Sequence, residues 1–166
     1  ILWTKTYVSQ IDLREKVNQP LFFPVVPVSI GGGKFRSNLS QILLDAVKSG
    51  QITAYDDTPE EYFSEIVTPQ ELEALLFSVD STEEENLDTG ELELIIDTLT
   101  VQNTDIKAYY VIEDKFFDKK RSVLDSRIIG IAPIAELINK ETFELEPTIL
   151  FWVWYPEIRQ ILANSI

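Results

Sequence analysis

KAYYVIEDKFFDKKRSVLDSRIIGIAPI, Lys107 to Ile134, is the stretch that decides the fold. Two runs rich in β-branched and aromatic residues flank Asp118-Lys119-Lys120-Arg121, a charged segment without an apolar member. Strand-forming runs on either side of a short polar break predict a hairpin, Lys107–Phe117 with Ser122–Ile134. Downstream, Asn139–Glu146 reads as a second turn leading into a strand over Thr148–Tyr155. Both faces of that strand are apolar, Ile149, Phe151, Val153 and Tyr155 against Leu150, Trp152 and Trp154, as in a strand covered on both sides. Trp152 and Trp154 share one face and are read as core or, where one side is open, as the wall of a binding groove. Pro156 ends the strand and opens a short helix, Glu157–Ala163, whose Ile158, Ile161 and Leu162 return to the sheet. Upstream, Leu92–Val101 is β-compatible, and the partial alternation of Leu2–Leu13 predicts an edge strand.

Helices are expected between these strands. Leu39, Ile42, Leu43, Ala46 and Val47 recur at the helical period, with Ser37 or Asn38 as N-cap and Gly50 as the stop. Thr58-Pro59-Glu60-Glu61 and Thr68-Pro69-Gln70-Glu71 each combine a capping-box pattern with proline at the first helical position, so each predicts a helix start. The second helix carries Leu72, Leu75, Leu76 and Val79 and is expected to run out into an acid-rich exposed loop, Asp80–Asp88. Pro20, Pro24 and Pro27 bar LFFPVVPV from a central strand, and Gly31–Gly33 reads as a flexible joint. Strands and helices do not alternate as βαβ units. The expected class is therefore α+β, an antiparallel meander built mainly from the C-terminal half with helices largely on one face. One domain over 1–166 is expected, with an acidic, helix-containing lobe at about 37–90 and a strand-rich lobe at about 91–166.

Composition excludes whole classes of chemistry. A content of 45% hydrophobic and 11% aromatic residues argues against disorder. The longest apolar run falls well short of the ~20 residues of a spanning helix, so a soluble domain is expected. The chain starts at Ile1 with no charged-then-apolar leader and so reads as a processed or trimmed product. It has no cysteine and no histidine. Disulfides, cysteine nucleophiles and Ser-His-Asp triads are thereby excluded, and structural zinc in practice. The net charge of −14 is concentrated. Between Lys48 and Lys107 lie sixteen acids, from Asp56 to Asp105, and no base; the remainder carries 28 − 16 = 12 acids against 14 bases. Such a field repels nucleic acid and anionic lipid and favours basic partners or cations, and it also serves simply as a solvated surface.

No motif supplies a catalytic centre. Gly31-Gly32-Gly33-Lys34 lacks the upstream glycine of a phosphate loop, where Val28 stands, and Phe35 replaces the required Ser or Thr. Asp80–Glu91 places Glu85 where a calcium loop demands glycine. Acids abound, yet no pair stands out as glycosidase carboxylates. The basic turn is the remaining candidate: Lys115, Lys119, Lys120, Arg121 and Arg127 gather around Phe116 and Phe117. Net charge argues against nucleic acid there. Two readings stand, a solvated tip whose phenylalanines pack inward and a protein–protein contact, since aromatic and arginine side chains favour interfaces. No cofactor and no metal ligand set are identified.

The phrases FFDKKRSVLDSRIIGIAPI (Phe116–Ile134) and LFWVWYPEIRQILA (Leu150–Ala163) resemble the C-terminal half of the GldN/PorN family of gliding-motility and type IX secretion components of Bacteroidetes. IDLREKVNQPLFFP (Ile11–Pro24) and AYDD (Ala54–Asp57) resemble its N-terminal and acidic central phrases, in the same order. The match loosens over Phe77–Ile106. The resemblance implies a non-enzymatic structural subunit, exported to the periplasm. It also implies a ring shared with an outer-membrane lipoprotein of the GldK/PorK type, on the inner face of the outer membrane, and contact with the periplasmic part of the secretion motor. The competing class is a carboxylate-based enzyme or a divalent-cation-binding periplasmic domain.

Overall fold

The computed structural model describes residues 3–58, 61–85, 92–139 and 142–165, with the backbone path alone for 78–85 and 92–99. Its centre is a six-stranded antiparallel sheet. Strand β1 (Trp3–Asp12) is followed by a 3-10 turn (Lys16–Asn18), helix α1 (Gln19–Phe22), the β2–β3 hairpin (Val28–Gly31 and Lys34–Arg36) and helix α2 (Leu39–Lys48). Next come β4 (Ala54–Tyr55), helix α3 (Pro69–Leu76) and the hairpin β5–β6 (Phe77–Glu85 and Leu92–Thr100). The C-terminal part supplies β7 (Ile106–Asp118), β8 (Val123–Ile138), β9 (Leu145–Ile149), β10 (Trp152–Trp154) and helix α4 (Tyr155–Asn164). The sheet order is β1-β7-β8-β10-β4, with β9 also on β8; β2–β3 and β5–β6 are separate two-stranded sheets. The α+β class, with its sheet drawn largely from the C-terminal strands, is as the sequence indicates.

The helices share one face. Leu43, Leu44, Ala46 and Val47 of α2, Leu76 of α3 and Ile158 of α4 join Tyr109, Val111, Ile131 and Val153 of the sheet in one buried cluster. Helix α2 begins as its sequence dictates: Asn38 Oδ1 accepts the Gln41 amide at 2.8 Å, and its Nδ2 donates to the Phe22 carbonyl at 2.9 Å. One buried side chain thus caps α2 and ties α1 to it. Thr68 and Glu71 close a reciprocal capping box at α3.

A smaller cluster covers the other face, formed by Ile112, Ala132 and Trp152 with Tyr55, Tyr110, Phe63, Ile129 and Ile149. Its roof is the segment after β4, and here the expected helix at Thr58 fails. Thr58 is in loop and Glu61–Ser64 form turns, while Pro59 and Glu60 lie outside the described residues. Length does not decide this, since α3 is itself only eight residues long; the rings of Tyr62 and Phe63, packed against Trp152, hold the segment in another path. The chain instead doubles back: the Asp56 amide donates to the Glu65 carbonyl at 2.9 Å, and Ile66 bridges Tyr55. Phe63 adopts φ 66° and lays its ring on the sheet.

Other expectations need correction. Asp80–Glu85 is strand, within β5, rather than exposed loop; residues 86–88 lie outside the description. Gly31–Gly33 are a hairpin turn with φ of 93°, 62° and 74°, a left-handed run that only glycine enters freely. The Thr148–Tyr155 strand is broken into β9 and β10 at Leu150–Phe151. Trp152 is buried and its Nε1–H donates to Asp57 Oδ1 at 2.8 Å, whereas Trp154 is 42% exposed where α4 begins and is not core.

Candidate functional site: a three-stranded arm

The basic turn sits at the end of an arm that the sequence alone does not reveal. Strand β1 pairs with β7 along its whole length, from Trp3↔Phe117 to Asp12↔Ala108, so the predicted hairpin has a third strand. The arm begins at a bulge. Ile112 pairs with Gly130 and Glu113 with Ile128, leaving Ile129 as the extra residue of β8. From Ile112 to Asp118 the strands advance six residues, about 20 Å at ~3.3 Å per residue. Two-stranded ribbons are marginal in water, and the third strand is what makes such a projection self-supporting.

Alternation divides the candidate residues between two faces. On the helix-bearing side, the cross-strand rows are Tyr7–Glu113–Ile128, Lys5–Lys115–Ser126 and Trp3–Phe117–Leu124. Lys5 and Lys115 both stand over the Tyr7 ring, 5.2 and 5.0 Å from its centroid, and Lys115 Nζ pairs with Glu113 at 3.1 Å. On the opposite side Thr6 Oγ1 donates to Asp114 at 2.6 Å, and the Arg127 guanidinium lies 6.0 Å from the Phe116 ring centre. Phe116 and Phe117 therefore serve different surfaces. Neither packs into the core, contrary to the inward-packing expectation, because the arm has no layer above it.

The turn itself is ordered by Asp118. Its carboxylate accepts the Lys120 amide at 2.9 Å and Arg121 Nε at 2.8 Å, and Arg121 also reaches Asp125 at 3.4 Å. The Arg121 hydrogen bond, then the Lys120 amide, hold the Asp118 carboxyl below its ordinary range. The same pairing raises Arg121. Ser122 takes φ 53° to return the chain into β8. Of the seven residues singled out, Lys119, Lys120 and Arg127 are the cations without a carboxylate partner among the described residues, and Arg127 instead faces the Phe116 ring. Arg121 and Lys115 are committed to carboxylates. Sequence reading missed Trp3, Lys5, Tyr7 and Leu124, which join the site through pairing across more than a hundred residues. The alternation of β1 was the available signal; its partner was not.

Among the described residues no three His, Cys, Asp or Glu side chains converge to hold a metal, and no helix is long and apolar enough to cross a membrane. Among the described groups Tyr109 carries the largest pKa perturbation. Burial pushes it up, and its partner is the buried Ser40 hydroxyl, so it is a core hydrogen bond rather than an acid or base facing a ligand.

Fold and site together define an α+β protein whose conspicuous surface is a projecting, aromatic and basic arm. Over residues 1–166 the chain matches the model of the gliding motility associated protein GldN, and it belongs to that family. A search of the curated proteins gave no match.

Proposed function

We propose that this chain is a non-catalytic structural subunit of the type IX secretion and gliding machinery. It would reside in the periplasm and build a ring with an outer-membrane lipoprotein of the GldK/PorK type, in contact with the periplasmic part of the motor. The observation that carries this reading is the family match over the full chain, joined to an arm that offers a surface and no reaction centre. The arm is the contact we assign, through Lys115, Phe116, Phe117, Lys119, Lys120, Arg121 and Arg127. Exposed ion pairs contribute only ~0.2–1 kcal/mol each, so the cations orient the encounter and the aromatic row supplies affinity.

Co-purification with the lipoprotein, followed by cross-link mapping, tests the assignment. Lys119→Glu with Lys120→Glu should weaken capture in a salt-sensitive way, because these two cations have no internal partner to lose. Capture at wild-type strength by the doubly reversed arm would remove the arm from the interface. A thermal-shift series with calcium, magnesium and simple glycans addresses the enzyme or cation-binding alternative. A large shift with one cation alone would favour that class over assembly.

A further inference from the structure

On the side of the sheet away from β1, an apolar groove of about 610 Å³ opens between the end of α2, β4 and α3. Val47, Ile52, Ile66, Leu72, Leu76 and Phe77 form its walls, and Ile66 and Phe77 are 63% and 42% exposed. Phe77 and Thr100, which line the groove, are also the first pair of the β5–β6 hairpin, so that hairpin springs from the groove's rim. Its strands carry Asp80, Glu83, Glu84, Glu85, Glu93 and Asp97 without a base. At the other end of the molecule the arm presents the row Trp3–Phe117–Leu124, with Trp3 45% and Leu124 65% exposed, beside the unpaired Lys119 and Lys120.

We propose that the groove receives the arm tip of a second copy of this chain, with Trp3, Phe117 and Leu124 entering between α3 and β4. Lys119 and Lys120 then lie along the acidic hairpin of the receiving copy. Charge selects this pairing from the three that two patches allow. Tip against tip sets Lys119 and Lys120 against their own copies, and groove against groove opposes two acidic hairpins; tip in groove alone brings opposite charges together. The contact is intermolecular by topology. Register places Ala54 of the groove level with Val153, Ile131 and Val111, whereas the tip lies beyond Ile112 and across the width of β8, β10 and β4. A contact between two different patches is heterologous, so it propagates head to tail instead of closing as a two-fold dimer. It deepens the assembly reading, yet requires no lipoprotein.

Sedimentation velocity of the purified chain, over a concentration series at low and high salt, reads the contact. The wild type should pass beyond dimer as concentration rises and retreat at high salt. Leu124→Glu and Ile66→Glu, both at exposed positions, should each self-associate at least tenfold more weakly. Their equimolar mixture should form a dimer and nothing larger, because it holds one intact tip and one intact groove per pair. Leu124→Ser and Ile66→Ser, checked by circular dichroism, repeat the comparison should either charge disturb folding. A wild type that remains monomeric, a single variant that associates as the wild type does, or a mixture that stays monomeric would each overturn the proposal. So would anionic phospholipid vesicles that bind the wild type through Leu124 while the protein shows no self-association, since the tip would then be a lipid contact. Lipoprotein capture separates the two readings: capture without self-association sinks this proposal alone, and self-association without capture sinks the lipoprotein assignment alone.

Discussion

Gly130 is where the sheet admits an aromatic ring, and Gly130→Ala tests how the second face is closed. A Cβ at this position would overlap Phe63 Cζ, stand 2.9 Å from its Cε1 and approach the Val153 carbonyl oxygen to 3.1 Å. The ring has little freedom to retreat. Its backbone is held at φ 66°, and it packs edge-on against Tyr55 at 5.4 Å and Trp152 at 6.3 Å between centroids. Two effects oppose each other. Replacing glycine with alanine in a compatible strand stabilises by about 0.4–1 kcal/mol through the unfolded chain. Forcing extra volume into a packed site destabilises by ~1–3 kcal/mol. Overlap with a ring held on two sides puts the clash ahead, for a net loss of about 1–2 kcal/mol. At this chain length that lowers Tm by roughly 2–8 °C. Urea unfolding, followed by circular dichroism and by tryptophan fluorescence from Trp152 in the same cluster, measures it. The decisive arm is Phe63→Ala. In that background the added methyl meets no ring, so Gly130→Ala should cost at least ~1 kcal/mol less than in the wild type. Equal costs in both backgrounds would show that Phe63 does not rest on Gly130.

Tyr109→Phe should cost about 1–3 kcal/mol, because it strands the buried Ser40 hydroxyl, whereas adding Ser40→Ala should recover much of the loss; denaturant melts of the three variants decide it. The same tyrosine predicts an alkaline slope. Its pKa is raised by burial, so the stability it contributes is intact below the ordinary value of 10.0 and falls as pH rises beyond it, by ~1.4 kcal/mol per pH unit; the slope should shrink in Tyr109→Phe. Asn38→Ala removes a cap and the tether to Phe22 together, and should cost ~1–3 kcal/mol, read from the thermal midpoint. Asp118 titrates below its ordinary range, so the order it gives the turn is present above that range and lost as pH falls through the lowered value. Carboxyl chemical shifts should show a depressed midpoint that returns toward normal in Arg121→Ala.

What the sequence conveyed depended on whether the deciding contact was local. Asn38 with Gln41, and Thr68 with Glu71, complete their bonds within one helical turn, and both helices start where those residues predict. Thr58 carries the same local signal as Thr68 and starts no helix. Its outcome is set by Tyr62 and Phe63, whose rings lie beside Trp152, ninety residues downstream. Thr58 Oγ1 is left buried with no hydrogen-bond partner, as expected of a cap residue whose helix never forms. β5 was hidden for another reason. Its Asp, Ser and Glu residues have low strand preference, and the strand exists because Leu92–Thr100 returns alongside it in unbroken register. In the site, Asp118 and the turn cations were legible by composition. The division of Phe116 from Phe117 follows from alternation once both are placed on one strand.

The arm itself rests on a contact no short window contains. Without β1, the outer part of β7–β8 would be a two-stranded ribbon, with Phe117 and Leu124 bare and Lys115 and Glu113 hydrated independently. With it, Tyr7 sits under two ammonium groups, Thr6 fixes Asp114, and Trp3 completes an apolar row three strands wide. The row stays uncovered because the buried cluster on its side ends with Ile128, two rows short of the tip. A strand whose residues are exposed from Trp3 to Gln10 gains little from core burial, so selection for the fold alone does not account for its aromatic members. Removing β1 should therefore leave the helix-bearing core cooperative while the outer half of β7–β8 loses amide protection. If hydrogen exchange at Lys115–Phe117 proved unchanged in a chain beginning at Leu13, the arm would need no third strand, and the exposed row would lose its structural basis.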